Sequence, residues 1–133
     1  MTFYFDRNFG KSFPEALRAA RPPLSVEFHH DPRCKFKFAQ DAQDDEWISK
    51  VAVEGWIIFS HDRKFHTIVP ECAAIKQYNA GCFYLPGANS PTWDKVCTFM
   101  KYHRGIITRA TKTNRPFIYE LLYNGRFKNI HIP

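Results

Sequence analysis

No stretch of the 133 residues approaches the roughly 20 consecutive apolar residues that a membrane-spanning helix needs. The opening Met1-Thr2-Phe3-Tyr4-Phe5-Asp6 also lacks the basic n-region and long apolar h-region of a secretory signal. Both absences lead to the expectation of a cytoplasmic protein that engages no membrane. Four cysteines, at 34, 72, 82 and 97, form no C-x-x-C pair, and the six histidines show no H-x-x-x-H spacing, so a zinc site has no sequence support. Cys72, Cys82 and Cys97 fall in segments with apolar neighbours, and the cysteines read as buried free thiols. Acids are scarce toward one end. From Lys95 onward eight lysines and arginines stand against Glu120 alone, a charge of +7, whereas residues 1–94 carry −1 of the net +6. A cationic C-terminal third suits an anionic partner, with nucleic acid the leading candidate, while a merely solvated surface is the plain alternative.

What is present is enough for one core. With 44% apolar and 17% aromatic residues, the chain reads as a single domain, its core over about 2–112 and a C-terminal hairpin over about 116–132. Thr2–Phe5 is a short aromatic run ending at Asp6, which fits a buried strand. Ser12 followed three residues later by Glu15 has capping-box spacing and opens a helix that Arg21-Pro22-Pro23 stops. Residues 24–28 alternate as a strand, and 29–43 have no period and read as a loop. Acids at 44–46 precede Trp47, Ile48, Val51 and Ala52 at helical spacing, and Gly55 ends that helix. Trp56–Phe59 is continuously apolar, as expected for a strand buried on both faces of a parallel sheet.

Pro70 through Ala80 reads as a helix with Cys72, Ala73, Ile75 and Tyr78 inward, followed by a strand over Cys82–Leu85. Ser90-Pro91 reads as an N-cap with proline at the first helical position, ahead of Trp93, Val96, Cys97 and Met100 at helical spacing. Phe117–Tyr123 and Phe127–Ile132 flank Asn124-Gly125, the signal for a hairpin with a type I′ turn. Alternating strands and helices predict an α/β protein: a three-layer α/β/α open parallel sheet with a C-terminal antiparallel hairpin. No internal repeat or low-complexity tract interrupts this order.

Ligands of open parallel sheets bind beyond the carboxyl ends of the strands. Asp6 ends the first strand, Asp62 follows the third, and Asp44 opens the helix after the second, so three carboxylates should face one cleft. Crowded carboxylates repel one another unless a cation intervenes, and hard oxygen donors select Mg²⁺ or Mn²⁺. Asp6, Asp44 and Asp62 are therefore the candidate catalytic and metal-binding residues, with Asp45 and Glu46 as further candidate ligands. Taken singly, each could be a helix cap, a turn residue or a favourable first-turn charge. Arg7, His61, Arg63 and Lys64 would lie beside the metal and contact phosphates of a nucleic-acid partner, joined by Arg104 and Arg109 from the basic third, with ordinary surface solvation as the plain alternative for each. Asn8 is placed to orient a carboxylate or a water.

Four segments resemble the PIN-like domains, in particular a compact branch related to VapC-type toxin ribonucleases: 5–10 (FDRNFG), 44–47 (DDEW), 55–63 (GWIIFSHDR) and 83–89 (FYLPGAN). The resemblance runs through most of residues 2–122. It implies a PIN-like fold with Rossmann-like layering and Mg²⁺- or Mn²⁺-dependent hydrolysis of RNA phosphodiester bonds. It further implies a toxin of a toxin–antitoxin or defence system, an antitoxin partner and a homodimer. Two departures stand out. Where relatives place a further acid shortly after the third aspartate, this chain has Arg63-Lys64-Phe65, and a shortened middle segment leaves Glu46 as the substitute. A non-catalytic PIN-like module that binds RNA or protein is the alternative reading. A dehalogenase-type phosphatase would want D-x-D where this chain has Asp6-Arg7-Asn8, and a receiver domain would want a lysine near Leu85.

Overall fold

Short runs apolar on both sides become strands that are buried on both sides. In the computed structural model, which describes residues 1–39 and 41–133, the elements run β1 (Thr2–Phe5), a 3-10 turn (Arg7–Phe9), α1 (Ser12–Ala19), β2 (Ser25–Phe28), α2 (Asp44–Val53), β3 (Ile57–Ser60), α3 (Val69–Gln77), β4 (Gly81–Tyr84), α4 (Thr92–Lys112), β5 (Phe117–Leu121) and β6 (Phe127–Asn129). Every residue of β3 and of β4 is buried. The strands form one sheet in the order β2-β1-β3-β4-β5-β6, parallel throughout except for the antiparallel β5–β6 pair. The expected loop lies between β2 and α2; its Gln40 is outside the described residues.

The pleat sorts side chains into two cores. Phe3, Phe5, Ile57, Phe59, Phe83 and Phe117 point to one face and pack with Phe13 and Leu17 of α1 and Phe99, Ile106 and Ala110 of α4. Tyr4, Ile58, Cys82, Tyr84 and Ile118 point to the other, against Trp47, Ile48 and Val51 of α2 and Ala74 and Ile75 of α3. This is the expected three-layer sheet. Its strand order reverses between β1 and β3, because β2 lies on one side of β1 and β3 on the other. Such a switch point opens a crevice at the carboxyl ends of the two strands. At the β2 edge, Arg18 of α1 donates to the Val26 carbonyl and pairs with Asp31 at 2.8 Å.

Several local expectations are corrected. No capping box forms at Ser12: Lys11 is the N-cap of α1, and it makes no side-chain cap bond. Pro91, one residue past the expected Ser90, is the N-cap of α4. The inward face of α3 carries Glu71, Ala74 and Ile75, while Ala73 and Tyr78 are exposed. Burying Glu71 rotates the helix away from the face its apolar residues alone suggest. On α4, Val96 leans on the core and Phe99 is buried, but Trp93 (74% exposed), Cys97 and Met100 face outward. All four cysteines are free, yet only Cys34 and Cys82 are buried. The hairpin turn is not type I′, which needs positive φ at both central residues. Only Gly125 has it (φ 85°), and hydrogen bonds from Gly125 N–H to Leu122 O and from Leu122 N–H to Arg126 O enclose a three-residue loop of the bulged kind.

Phe59 is the centre of the first core, its ring packed against those of Phe3, Phe5, Phe83 and Phe99. Truncating a fully buried phenylalanine removes its transfer free energy and leaves a cavity, together about 3–5 kcal/mol. Phe59→Ala is expected to lower the urea midpoint accordingly with an unchanged m-value, whereas Trp93→Ala on the exposed face leaves the midpoint within error.

Candidate active site

The end of β1 is tied to the end of β3 through one buried hydroxyl. Asp6 N–H donates to Phe59 O at 3.1 Å, extending the ladder one residue past the strand. The Asp6 carboxylate, 5% exposed, accepts from the Asn8 N–H at 3.1 Å and from Ser60. The Ser60 hydroxyl in turn accepts the Asp62 N–H at 3.1 Å. Asp62, exposed at the mouth, receives the Asn8 side-chain amide at 2.6 Å. Asn8 thus orients a carboxylate with its amide and caps another with its backbone. Immediately after Asp62, Arg63 adopts a left-handed φ of 55°, a conformation that disfavours a side chain.

Asp44 enters from the first turn of α2. Its Oδ1 accepts from the Trp47 indole at 2.8 Å and from Arg7 at 3.1 Å, so the core tryptophan and the 3-10 turn fix the same oxygen. A fourth carboxylate stands beside it. Glu71, in the first turn of α3, is 7% exposed and close enough to Asp44 for the two carboxyl groups to interact. Its Oε2 is buried without a hydrogen-bond partner. Glu71 thus lies nine residues after Asp62, on a helix. Lys64, which occupies the acid's expected place in the sequence, lies close enough to Glu71 to ease its ionisation. Helical spacing held the signal, since 71, 74 and 75 share a face; an acid in a first turn reads instead as a dipole partner.

The electrostatics show the crowding. Burial pushes the Asp6 carboxyl up to about 7, with the charges of Asp62 and Asp44 adding to the rise. Glu71 is pushed up to about 8 by burial, by its hydrogen bond to Asp44 and by the charges of Asp44 and Asp62. Among the described residues, no three His, Cys, Asp or Glu side chains stand close enough together to hold a metal ion, because Asp44 is turned to Arg7 and Trp47, and Asp62 to Asn8. The donor set nevertheless fits a hard divalent ion in kind. All four donors are carboxylates, Glu71 offers an orphaned buried oxygen, and Asp62, being exposed, has room to rotate.

The other candidates are distributed unevenly. Asp45 and Glu46 are exposed, and Glu46 pairs with Lys50 at 3.8 Å on the outer surface of α2. Arg7 and Lys64 flank the acids. Arg63 reaches Glu120 at 2.8 Å. His61 gives its Nδ1 proton to Leu85 O at 2.8 Å and stacks on Phe9, while burial and the nearby Lys95 lower its basicity, so at neutral pH it is an uncharged brace. Lys95, counted in sequence only as part of the basic third, therefore belongs to the neighbourhood of the site. Arg104 and Arg109 do not join it. Helix α4 leaves the carboxyl edge at Thr92, and at about 1.5 Å per residue these arginines lie roughly 18 and 25 Å along it. Arg109 stacks over the Phe127 ring at 4.0 Å.

A parallel sheet with four carboxylates near its switch point defines an α/β protein whose acidic cluster lies at the carboxyl edge. The chain belongs to the PIN like domain family, whose model matches residues 1–87, from β1 through the turn after β4, and thus includes all four acids. The fold is of a nuclease-like kind. No curated protein and no solved structure matches the chain.

A carboxyl whose native pKa is raised contributes stability that is complete below its unfolded value and is lost as pH rises through the native value. For Asp6 and Glu71 that window runs from about pH 4 to about pH 8. In chelator, Asp6→Asn is expected to be more stable than the wild type at pH 8, by roughly 2 kcal/mol after allowing for relaxation, and no more stable at pH 4. Urea titrations at the two pH values check this; an equal effect at both would remove the assigned cause.

Proposed function

We propose that this protein is a metal-dependent endoribonuclease that hydrolyses RNA phosphodiester bonds. The observation that carries the reading is Glu71. With it, four carboxylates from four parts of the chain lie near the point where the sheet switches direction, two of them buried and pushed up first by that burial and then by the charges of Asp44 and Asp62. Asp6, Asp44, Asp62 and Glu71 are the residues that would hold Mg²⁺ or Mn²⁺. The bound ion would lower the pKa of a water and offset charge on the phosphodiester.

The chain's own groups do the positioning. Ser60 and the Asn8 backbone hold Asp6 in place, the Asn8 amide aims Asp62, and Trp47 fixes Asp44. Arg7, Lys64 and Arg63 line the approach with positive charge suited to phosphates. The resemblance to VapC-type toxins supports a place in a toxin–antitoxin or defence system, with an antitoxin as partner and a homodimer as the assembly.

The test is cleavage of mixed single-stranded and structured RNAs with Mg²⁺, with Mn²⁺ and with chelator. Asp62→Asn and Glu71→Gln are each expected to reduce the single-turnover rate at least 100-fold, and chelation to abolish it. Cleavage that survives chelation or Asp62→Asn would overturn the reading. Absence of Mn²⁺ uptake in calorimetry, together with an Asp6→Asn variant that behaves as wild type, would leave a module that binds without cutting.

A further inference from the structure

Beside Asp62 lies a cavity of about 520 Å³ that none of the four acids lines. One wall is the turn after β4, residues 85–90. The other is the end of β5 and the hairpin loop, Glu120 to Tyr123. His61 and Arg63, the two sequence neighbours of Asp62, complete it. The volume is in the range that encloses a small organic ligand, about 300–1,000 Å³. The hairpin wall lies beyond residue 87, so half of this cavity is built from sequence outside the family match.

We propose that this cavity receives an unpaired nucleobase of single-stranded RNA, from the nucleotide next to the phosphate held at the acids. The inference rests on the ribonuclease reading for that phosphate, but its own recognition elements are separate. Tyr123, 78% exposed at the rim, offers a bare aromatic face, and base–aromatic stacking tolerates any base. The loop that carries Tyr123 is closed by the Gly125-to-Leu122 and Leu122-to-Arg126 hydrogen bonds, and a Cβ on Gly125 would meet the Tyr102 ring at 2.5 Å, so the loop sits tightly on α4. Arg109, stacked on Phe127, clamps the same hairpin to that helix.

Leu121 and Leu122 supply apolar floor, and the paired Arg63 and Glu120 present donors and an acceptor to the edge of a base. A base-paired residue cannot enter, because its edge is already engaged and its faces are covered by its neighbours. Arg63 is partner to both sides: its backbone follows Asp62, and its guanidinium borders the cavity.

Fluorescence anisotropy in chelator, with a labelled 12-nucleotide single-stranded RNA and the same strand in a duplex, tests the cavity without cleavage. Tyr123→Ala is expected to weaken single-strand binding at least fivefold and leave duplex binding unchanged, and Tyr123→Phe to bind as the wild type does, since stacking needs no hydroxyl. Because Tyr123 is exposed, the substitutions should not alter the fold, and an unchanged urea midpoint checks this. Equal losses on duplex and single strand, or none on either, would overturn the proposal. If single strands bind as described but no divalent ion supports cleavage, the ribonuclease reading fails and the subsite stands. If RNA is cut and Tyr123→Ala changes neither affinity nor cutting position, the subsite fails and the ribonuclease reading stands.

Discussion

The burial of carboxylates close to one another at one end of the sheet is the constraint around which this molecule is arranged. Asp6 and Glu71 are removed from water, and each lies within range of Asp44 and Asp62. Almost every polar group nearby responds to that charge. Ser60 spans the two strand ends, the 3-10 turn sends Arg7 to Asp44 and Asn8 to Asp62, and Lys64 lies near enough to Glu71 to ease its ionisation. A core filled only for stability would place apolar residues here, since unpaired charge in a low-dielectric setting is costly. Local consistency elsewhere in the chain is high, and the departure from it is concentrated where chemistry would be done.

The parts of the structure most legible in the sequence were those with a one-dimensional signature. Continuous apolar runs such as Ile57-Ile58-Phe59 marked buried parallel strands, and the rule that strand ends converge grouped Asp6, Asp44 and Asp62. Other features depended on what packs against what. The inward face of α3 follows from burying Glu71, a choice that the repulsion and pairing at Asp44 make intelligible only once the helices are in place. Trp93, Cys97 and Met100 fit a helical stripe as well as Val96 and Phe99 do, and only the position of α4 over the sheet separates them. Asn124-Gly125 announced a hairpin correctly. Its loop is one residue longer because Gly125 alone takes the left-handed conformation, and that extra residue carries Tyr123 to the rim.

The same tertiary view reassigns the basic residues. Lys64, expected beside the acids, lies near Glu71, and Lys95, counted in sequence only as part of the basic third, lies near His61. Arg109, one of a cationic tract, is a clamp between helix and hairpin. Net charge along a chain therefore describes its long-range attraction to a polyanion, and individual contacts depend on which end of a helix the residue occupies.

The Arg18 bond to the Val26 carbonyl has a consequence at the opposite margin of the molecule. Short parallel strands such as β2 leave backbone groups open to pairing with another chain, the usual route to aggregation. Arg18 takes one of the acceptors on that strand. At the far margin β6 is only three residues long and carries the exposed Lys128. Both margins of the sheet thus discourage growth by strand addition, which lets a chain with an aromatic-rich interior keep its sheet to itself.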